Sequence, residues 1–183
     1  MNIIVMGPQG SGKSTQAVLL AKKFGLKHVS LGELLRKEAS ELSESGRRLA
    51  EYLNRGDLAP HRDVMRIIHY ALPQDDFVVE GFPRELRQVK EFKRGLDRVI
   101  YIKLEDSEGI KRILAGRKIG SKGFDRSHRE DDTPEAIKKR LDIFHQETEP
   151  VLDYYRGKGL LTEVDGNGTI DEVFERVKKA VVL

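Results

Sequence analysis

The stretch Gly7-Pro8-Gln9-Gly10-Ser11-Gly12-Lys13-Ser14-Thr15 follows directly on the apolar run Ile3-Ile4-Val5-Met6. A glycine-rich turn thus joins a buried strand to a helix, with lysine at the helix start and hydroxyls after it. A polyphosphate needs that arrangement, because successive backbone N–H groups and the positive end of the helix converge on the anion. Glycine lets the chain pass through positive φ and brings the backbone close to the oxygens. Lys13 reaches the β- and γ-phosphates, and the Ser14 hydroxyl is a ligand for Mg²⁺. The bland alternative is a strand–helix turn of chance Gly/Ser composition; against it stands the intact G-x4-G-K-S spacing between strand and helix.

Outward from this loop, short apolar strands alternate with helical patterns, which argues for βαβ units and a parallel sheet covered on both faces. Strands are expected near Asn2–Met6, Lys27–Ser30, Phe77–Glu80, Arg98–Leu104 and Leu160–Val164. Helices are expected over Lys13–Phe24, Gly32–Ala39, Leu42–Asn54, Arg62–Leu72, Glu85–Arg94 and Ser107–Ala115, then Pro134–Arg156 and Ile170–Val181. Thr133 and Pro134 open the first long element, with Glu135 in its first turn. Ile137, Leu141, Phe144, Thr148 and Val151 recur at three- and four-residue steps on its inward face, and Pro150 should kink it.

At 183 residues the chain fits one compact domain with small insertions. A net charge of +3 suits an anionic small molecule as well as nucleic acid and selects neither. The absence of cysteine excludes disulfides, a thiolate nucleophile and Cys-ligated zinc, and agrees with a reducing compartment. The chain enters its first strand at once, leaving no room for a signal peptide, and has no apolar run of membrane-spanning length. A cytoplasmic enzyme is the expectation.

Two stretches exceed a minimal α/β core. Ser30 to Ala59 inserts two charged helices between the second and third strands. Arg117 to Asp132 lacks hydrophobic periodicity and carries Lys118, Gly120, Lys122, Gly123, Arg126, His128 and Arg129. That is either a solvated connection or, beside a phosphate site, a lid.

Glu80-Gly81-Phe82-Pro83-Arg84 ends the apolar strand Phe77-Val78-Val79. A carboxylate there is placed to hold Mg²⁺ directly or through water, and Arg84 projects from the strand end where open α/β sheets bind ligands. Further arginines at Arg36, Arg112, Arg117, Arg129 and Arg140 are expected to share in the cleft, since the guanidinium fork binds phosphate oxygens in pairs. Arg47, Arg48, Arg66 and Arg176 read instead as surface arginines paired with local acids. The five histidines show no metal-ligand spacing.

In these residues the chain resembles the nucleoside monophosphate kinases, adenylate kinase most closely, from the phosphate loop to the final helix. Besides the loop with Gln16-Ala17, the matching segments are Ser30-Leu31-Gly32-Glu33-Leu34-Leu35-Arg36, Gly56-Asp57-Leu58-Ala59, Glu80 to Arg84 with Gln88, Arg129-Glu130-Asp131-Asp132 with Arg140, and Val164-Asp165-Gly166. The resemblance implies a three-layer α/β/α fold of the P-loop NTPase type, with a five-stranded parallel sheet in the order 2-3-1-4-5. It implies one kinase domain: a core of 1–29, 60–116 and 131–183, an acceptor-binding insertion at 30–59, and a short lid at 117–130 without zinc.

The same resemblance implies donor contacts from Gly10, Ser11, Gly12, Lys13, Ser14, Thr15 and Arg117, and from a main-chain carbonyl near Gly168. Acceptor contacts would come from Leu31, Arg36, Asp57, Leu58, Ala59, Gly81, Phe82, Pro83, Arg84, Gln88, Arg129 and Arg140. Lys13, Arg84, Arg117, Arg129 and Arg140 would act in catalysis, and Ser14 and Glu80 near Mg²⁺. The implied reaction is ATP + AMP = 2 ADP, by a monomer with no nucleic-acid or membrane partner.

Three departures bear on this. Leu31 stands where the family usually has threonine; Glu33 and Glu80 stand where it has aspartate; Arg112 and Arg117 lie one residue further apart than the family's pair. A CMP or UMP kinase, a nucleotide-dependent switch or ATPase, and a non-catalytic nucleotide-binding protein stand as alternatives, separable by rates with each acceptor and by hydrolysis without one.

Overall fold

The computed structural model describes residues 1–116 and 133–182. Strands β1 (Asn2–Met6), β2 (Lys27–Ser30), β3 (Phe77–Glu80), β4 (Arg98–Lys103) and β5 (Leu161–Asp165) form one sheet, ordered β2-β3-β1-β4-β5. All four pairings are parallel, and Ile4 at the centre stands opposite Val79 on one side and Val99 on the other. The expected strand order holds.

Strand alternation sorts the core into two layers. Ile3 and Val5 pack with Ala17 and Leu20 of α1 (Lys13–Phe24) and with Val173 and Val177 of α9 (Ile170–Val182). Ile4 and Met6 point the other way. They join Leu35 of α2 (Leu31–Ala39), Leu49 of α3 (Glu44–Asn54), Val64 and Ile68 of α4 (His61–Ala71), and Val89 of α5 (Leu86–Glu91). Helices on both faces of the sheet make the three-layer architecture of the P-loop NTPases.

Local chemistry explains where elements differ from expectation. Helix α3 starts later than Leu42 because the Ser43 hydroxyl caps it, accepting from the Gly46 N–H at 3.0 Å, and Leu42 is left 98% exposed. Helix α5 stops at Glu91, where Phe92 leaves the helical path and packs edge-to-face on Phe82, ring centroids 5.1 Å apart.

The long element after Thr133 is three pieces: α7 (Pro134–Ile143), a π-helical turn (Phe144–Thr148) and α8 (Glu149–Gly157). Instead of a simple kink at Pro150, the helix widens just before it. The Glu149 N–H reaches back to the Phe144 carbonyl, and the missing proline N–H falls in the first turn of α8, where it has no helical partner to lose.

Helix α6 (Asp106–Gly116) packs on α7 through Ile110, Ile113, Ile137 and Leu141. The expected lid, with Arg117 and Arg129, lies outside the described residues.

Candidate active site

The loop between β1 and α1 curls as its glycines require. Gly12 caps α1 at φ 84°, ψ 8°, in the left-handed region. Gly10, at φ 85°, lies so close to the Gly109 backbone of α6 that a β-carbon would overlap it. The Ser11 N–H donates to the Pro8 carbonyl at 3.3 Å, tightening the turn. Lys13 folds back across its own loop, Nζ donating to the Pro8 carbonyl at 3.2 Å, which holds the ammonium over the N-terminus of α1.

Beside it, at the end of β3, lies Glu80, 4% exposed. Burial would push its carboxyl up. Lys13, the Ser30 hydroxyl, Arg84 and the Ser14 hydroxyl outweigh that and hold it below the usual carboxylate range. Glu80 is therefore a buried, ionised carboxylate beside a phosphate loop. Ser30 serves two elements: its Oγ–H donates to Glu80, and the same oxygen caps α2 by accepting from the Glu33 N–H at 3.4 Å. Glu33 itself is exposed in the first turn of α2, outside the cleft wall.

Arg84 is gripped at three points. Its Nε donates to the Gly81 carbonyl at 2.9 Å, and its main-chain N–H donates to Gln88 Oε1 at 2.8 Å. Its carbonyl accepts from the Thr148 hydroxyl at 2.9 Å. Gln88 is 1% exposed, and its Nε2 donates to Glu85 at 2.9 Å, so one donor and one acceptor position of the amide already hold the Gly81–Gln88 segment. Arg140, from α7, donates to the Leu53 carbonyl at the end of α3 at 3.1 Å. The Arg36 guanidinium lies over Gly32.

These groups surround one cleft of about 1180 Å³ including its solvent-open mouth. Of the residues singled out from sequence, Lys13, Ser14, Leu31, Arg36, Asp57, Leu58, Ala59, Glu80, Gly81, Phe82, Pro83, Arg84, Gln88 and Arg140 line it. Gly10, Ser11 and Gly12 belong to the loop itself, and Thr15 lies in the first turn of α1. The cleft is two-natured: Lys13 and Arg84 lie with Glu80 at the loop, while Leu31, Leu35, Leu53, Val64 and Phe82 make an apolar wall.

Sequence reasoning had not placed Ile143 or Thr148 at the site, and had given Phe144 to the core alone; all three line the cleft. The available signal was Thr148, a hydroxyl on the inward face of a helix, where a buried polar group requires a partner.

Two residues lie on the far side of the loop. Gly168, at φ 109°, belongs to the turn before α9 and not to this cleft. Arg112 donates from Nε to Glu108 at 2.9 Å and from Nη1 to the Gly166 carbonyl at 3.0 Å, in the same turn. Arg48 and Arg66 pair with Asp63 and Glu38, as surface arginines should. Arg176 differs, donating to the main-chain carbonyls of Asp165 and Asn167.

Among the described residues no group of three or more His, Asp or Glu side chains forms a metal cage, and no helix is long and apolar enough to cross a membrane. Mg²⁺ needs no such cage, since it keeps waters and binds through one or two protein oxygens plus substrate phosphates. Ser14 and the ionised Glu80 fit that demand.

A family model described as adenylate kinase matches residues 5–160. An adenylate kinase of Parabacteroides distasonis is 36% identical, with 99% of this chain and 97% of the relative covered. One of Streptococcus agalactiae is 36% identical over 100% of this chain and 99% of its own. One from Methanothrix thermoacetophila is 33% identical, with 99% and 98% covered.

Proposed function

Because the chain belongs to the adenylate kinase family and is a nucleotide-binding phosphotransferase, we propose that it moves the terminal phosphoryl group of ATP onto AMP, giving two ADP, and does so reversibly. The observation that carries this reading is the cleft that Lys13 and its loop share with Arg36, Arg84 and Arg140. A phosphate loop alone serves any nucleotide; further arginines in the same cleft suit a phosphorylated acceptor.

Phosphoryl transfer asks little covalent chemistry of a protein and much positioning. Lys13 and the loop amides hold the donor's β- and γ-phosphates. Arg36 and Arg84 hold the acceptor phosphate so that one of its oxygens attacks the γ-phosphorus as the bond to the β-γ bridging oxygen breaks. Arg140 supplies positive charge for the migrating group, with Arg117 and Arg129 assigned to the same task from sequence. Ser14 and Glu80 would hold Mg²⁺, which offsets phosphate charge when bound. Excluding water matters as much, because water in the cleft would attack the donor.

The apolar wall, with Asp57, Leu58, Ala59 and Gln88 at its edges, takes the acceptor base. The assignment of 30–59 as acceptor-binding insertion and 117–130 as lid is kept from the sequence, as are a cytoplasmic location, a monomeric state, a role in nucleotide synthesis, and the lack of zinc and of nucleic-acid or membrane partners.

Initial rates of ADP formation from ATP with AMP, CMP, UMP and GMP test the proposal. AMP is expected to give the highest kcat/KM. Hydrolysis of ATP at the same rate with and without acceptor would overturn it.

A further inference from the structure

The turn Asp165–Ile170, between β5 and α9, carries its carbonyls in an unusual state. Arg176 donates to those of Asp165, at 2.8 Å, and Asn167. Arg112 donates to that of Gly166 at 3.0 Å. Thr169 O accepts the first helical bond of α9, from the Val173 N–H at 3.1 Å. Gln16 Nε2 donates to that of Ile170 at 3.0 Å. Among the described residues, the Gly168 carbonyl alone in this turn shows no such bond. Three side chains from α1, α6 and α9 thus hold the turn, and they leave one carbonyl available to a ligand.

Gln16 is the informative member. It is 2% exposed, and its Oε1 is buried without a hydrogen-bond partner. A buried amide oxygen left unsatisfied costs about 1–3 kcal/mol, so an apolar side chain of the same volume would make a more stable helix. Stability does not explain a glutamine here. Placement does: Gln16 stands one turn into α1, the helix whose N-terminus faces the donor phosphates, and its amide spans to the turn that carries the Gly168 carbonyl.

Resting on the proposed function, we infer that Gln16 is a positioning residue for the donor nucleotide: it fixes the distance between the phosphate loop and the Gly168 carbonyl, and so selects a donor base that offers an amino hydrogen there. It touches no substrate; it acts through the Ile170 carbonyl. The base class follows from the chemistry of an acceptor. An exocyclic amino group of adenine donates to a carbonyl, whereas the carbonyl oxygen of guanine at that position meets another lone pair.

The test is a steady-state comparison of wild type with Gln16→Met, which keeps volume and removes the donated hydrogen bond. KM for ATP is expected to rise about fivefold, the size of one net hydrogen bond. KM for AMP and kcat should stay within about twofold of wild type, and the preference for ATP over GTP should narrow. Equal rises in both KM values, or a fall in melting temperature with neither KM changed, would overturn the inference. Should Gln16→Met fail to fold, Arg176→Met, at a partly exposed position, is expected to give the same selective rise by freeing the same turn; an unchanged KM for ATP there counts against the inference equally. A wild-type protein without transfer to AMP would overturn the functional reading instead. Calorimetric titration of ATP into wild type and Gln16→Met would then decide the role of Gln16 on its own, a weaker Kd supporting it and an unchanged one removing it.

Discussion

On the proposed function, the acceptor side and the donor side of the phosphate loop would recognise a base by different means. On the acceptor side, Leu31, Leu53, Val64 and Phe82 make an enclosed apolar wall, and the Gln88 amide is already engaged with Arg84 and Glu85. On the donor side there is an exposed turn whose carbonyls are held by Arg112, Arg176 and Gln16. On that reading, shape would do the selecting in one place and a positioned backbone dipole in the other. Side-chain changes should therefore act directly on acceptor choice and only through the backbone on donor choice.

The sharpest way to break this contrast is to remove the phosphate-holding cation assigned to each half. Lys13→Ala and Arg84→Ala are each expected to lower turnover by at least about 100-fold while the far-ultraviolet circular dichroism stays unchanged. Near-normal turnover in either variant would take that residue out of the mechanism. Glu80→Gln comes next, with about a tenfold loss in kcat as the charge beside Lys13 disappears. That variant also tests stability. Glu80 is held below its ordinary pKa, so its contribution is present above the unfolded-state value and is lost as pH falls through the folded one. Wild type should lose urea resistance over that acid window, and Glu80→Gln should lose less.

A smaller effect separates the two base sites. Leu31→Thr puts a hydroxyl into the acceptor wall and is expected to lower KM for AMP about threefold, less than one full hydrogen bond's net worth because a buried leucine is lost, with KM for ATP unchanged. A shift in KM for ATP would mean the sites are not independent. The smallest effect lies outside both. His145, on the π-helical turn, donates to the carboxylates of Asp106 (2.8 Å) and Glu149 (2.7 Å), contacts that raise its pKa above the ordinary value. Its stabilisation is complete below ~6.5 and fades as pH rises through the raised value. Thermal melts should show wild type losing slightly more stability than His145→Gln as pH rises through neutral, with KM values unmoved.

Much of this was legible in the chain itself. The five strands follow from apolar runs separated by helical periodicity, their order from the resemblance to the nucleoside monophosphate kinases, and the phosphate loop from glycine spacing between the first strand and helix. What escaped was set by contacts between distant segments. No local pattern announces that Pro150 is accommodated by a widened turn at Phe144–Thr148, or that Thr148 reaches the carbonyl of Arg84. Arg176 looks in sequence like any surface cation beside acids, yet it binds carbonyls, because β5 ends where α9 begins and the turn between them folds over that side chain. Gln16 stood within the matched loop with no task attached, since its partner lies at Ile170, at the other end of the chain.

The bond from Arg84 Nε to the Gly81 carbonyl has a thermodynamic consequence. Freezing a long, rotamer-rich side chain on binding costs about 0.5–1.5 kcal/mol. Here the guanidinium gives up that freedom when the polypeptide folds, so an arriving anion meets a cation already aimed. Association then depends little on conformational search, and warming should weaken capture of the second nucleotide less than it would if Arg84 swung free.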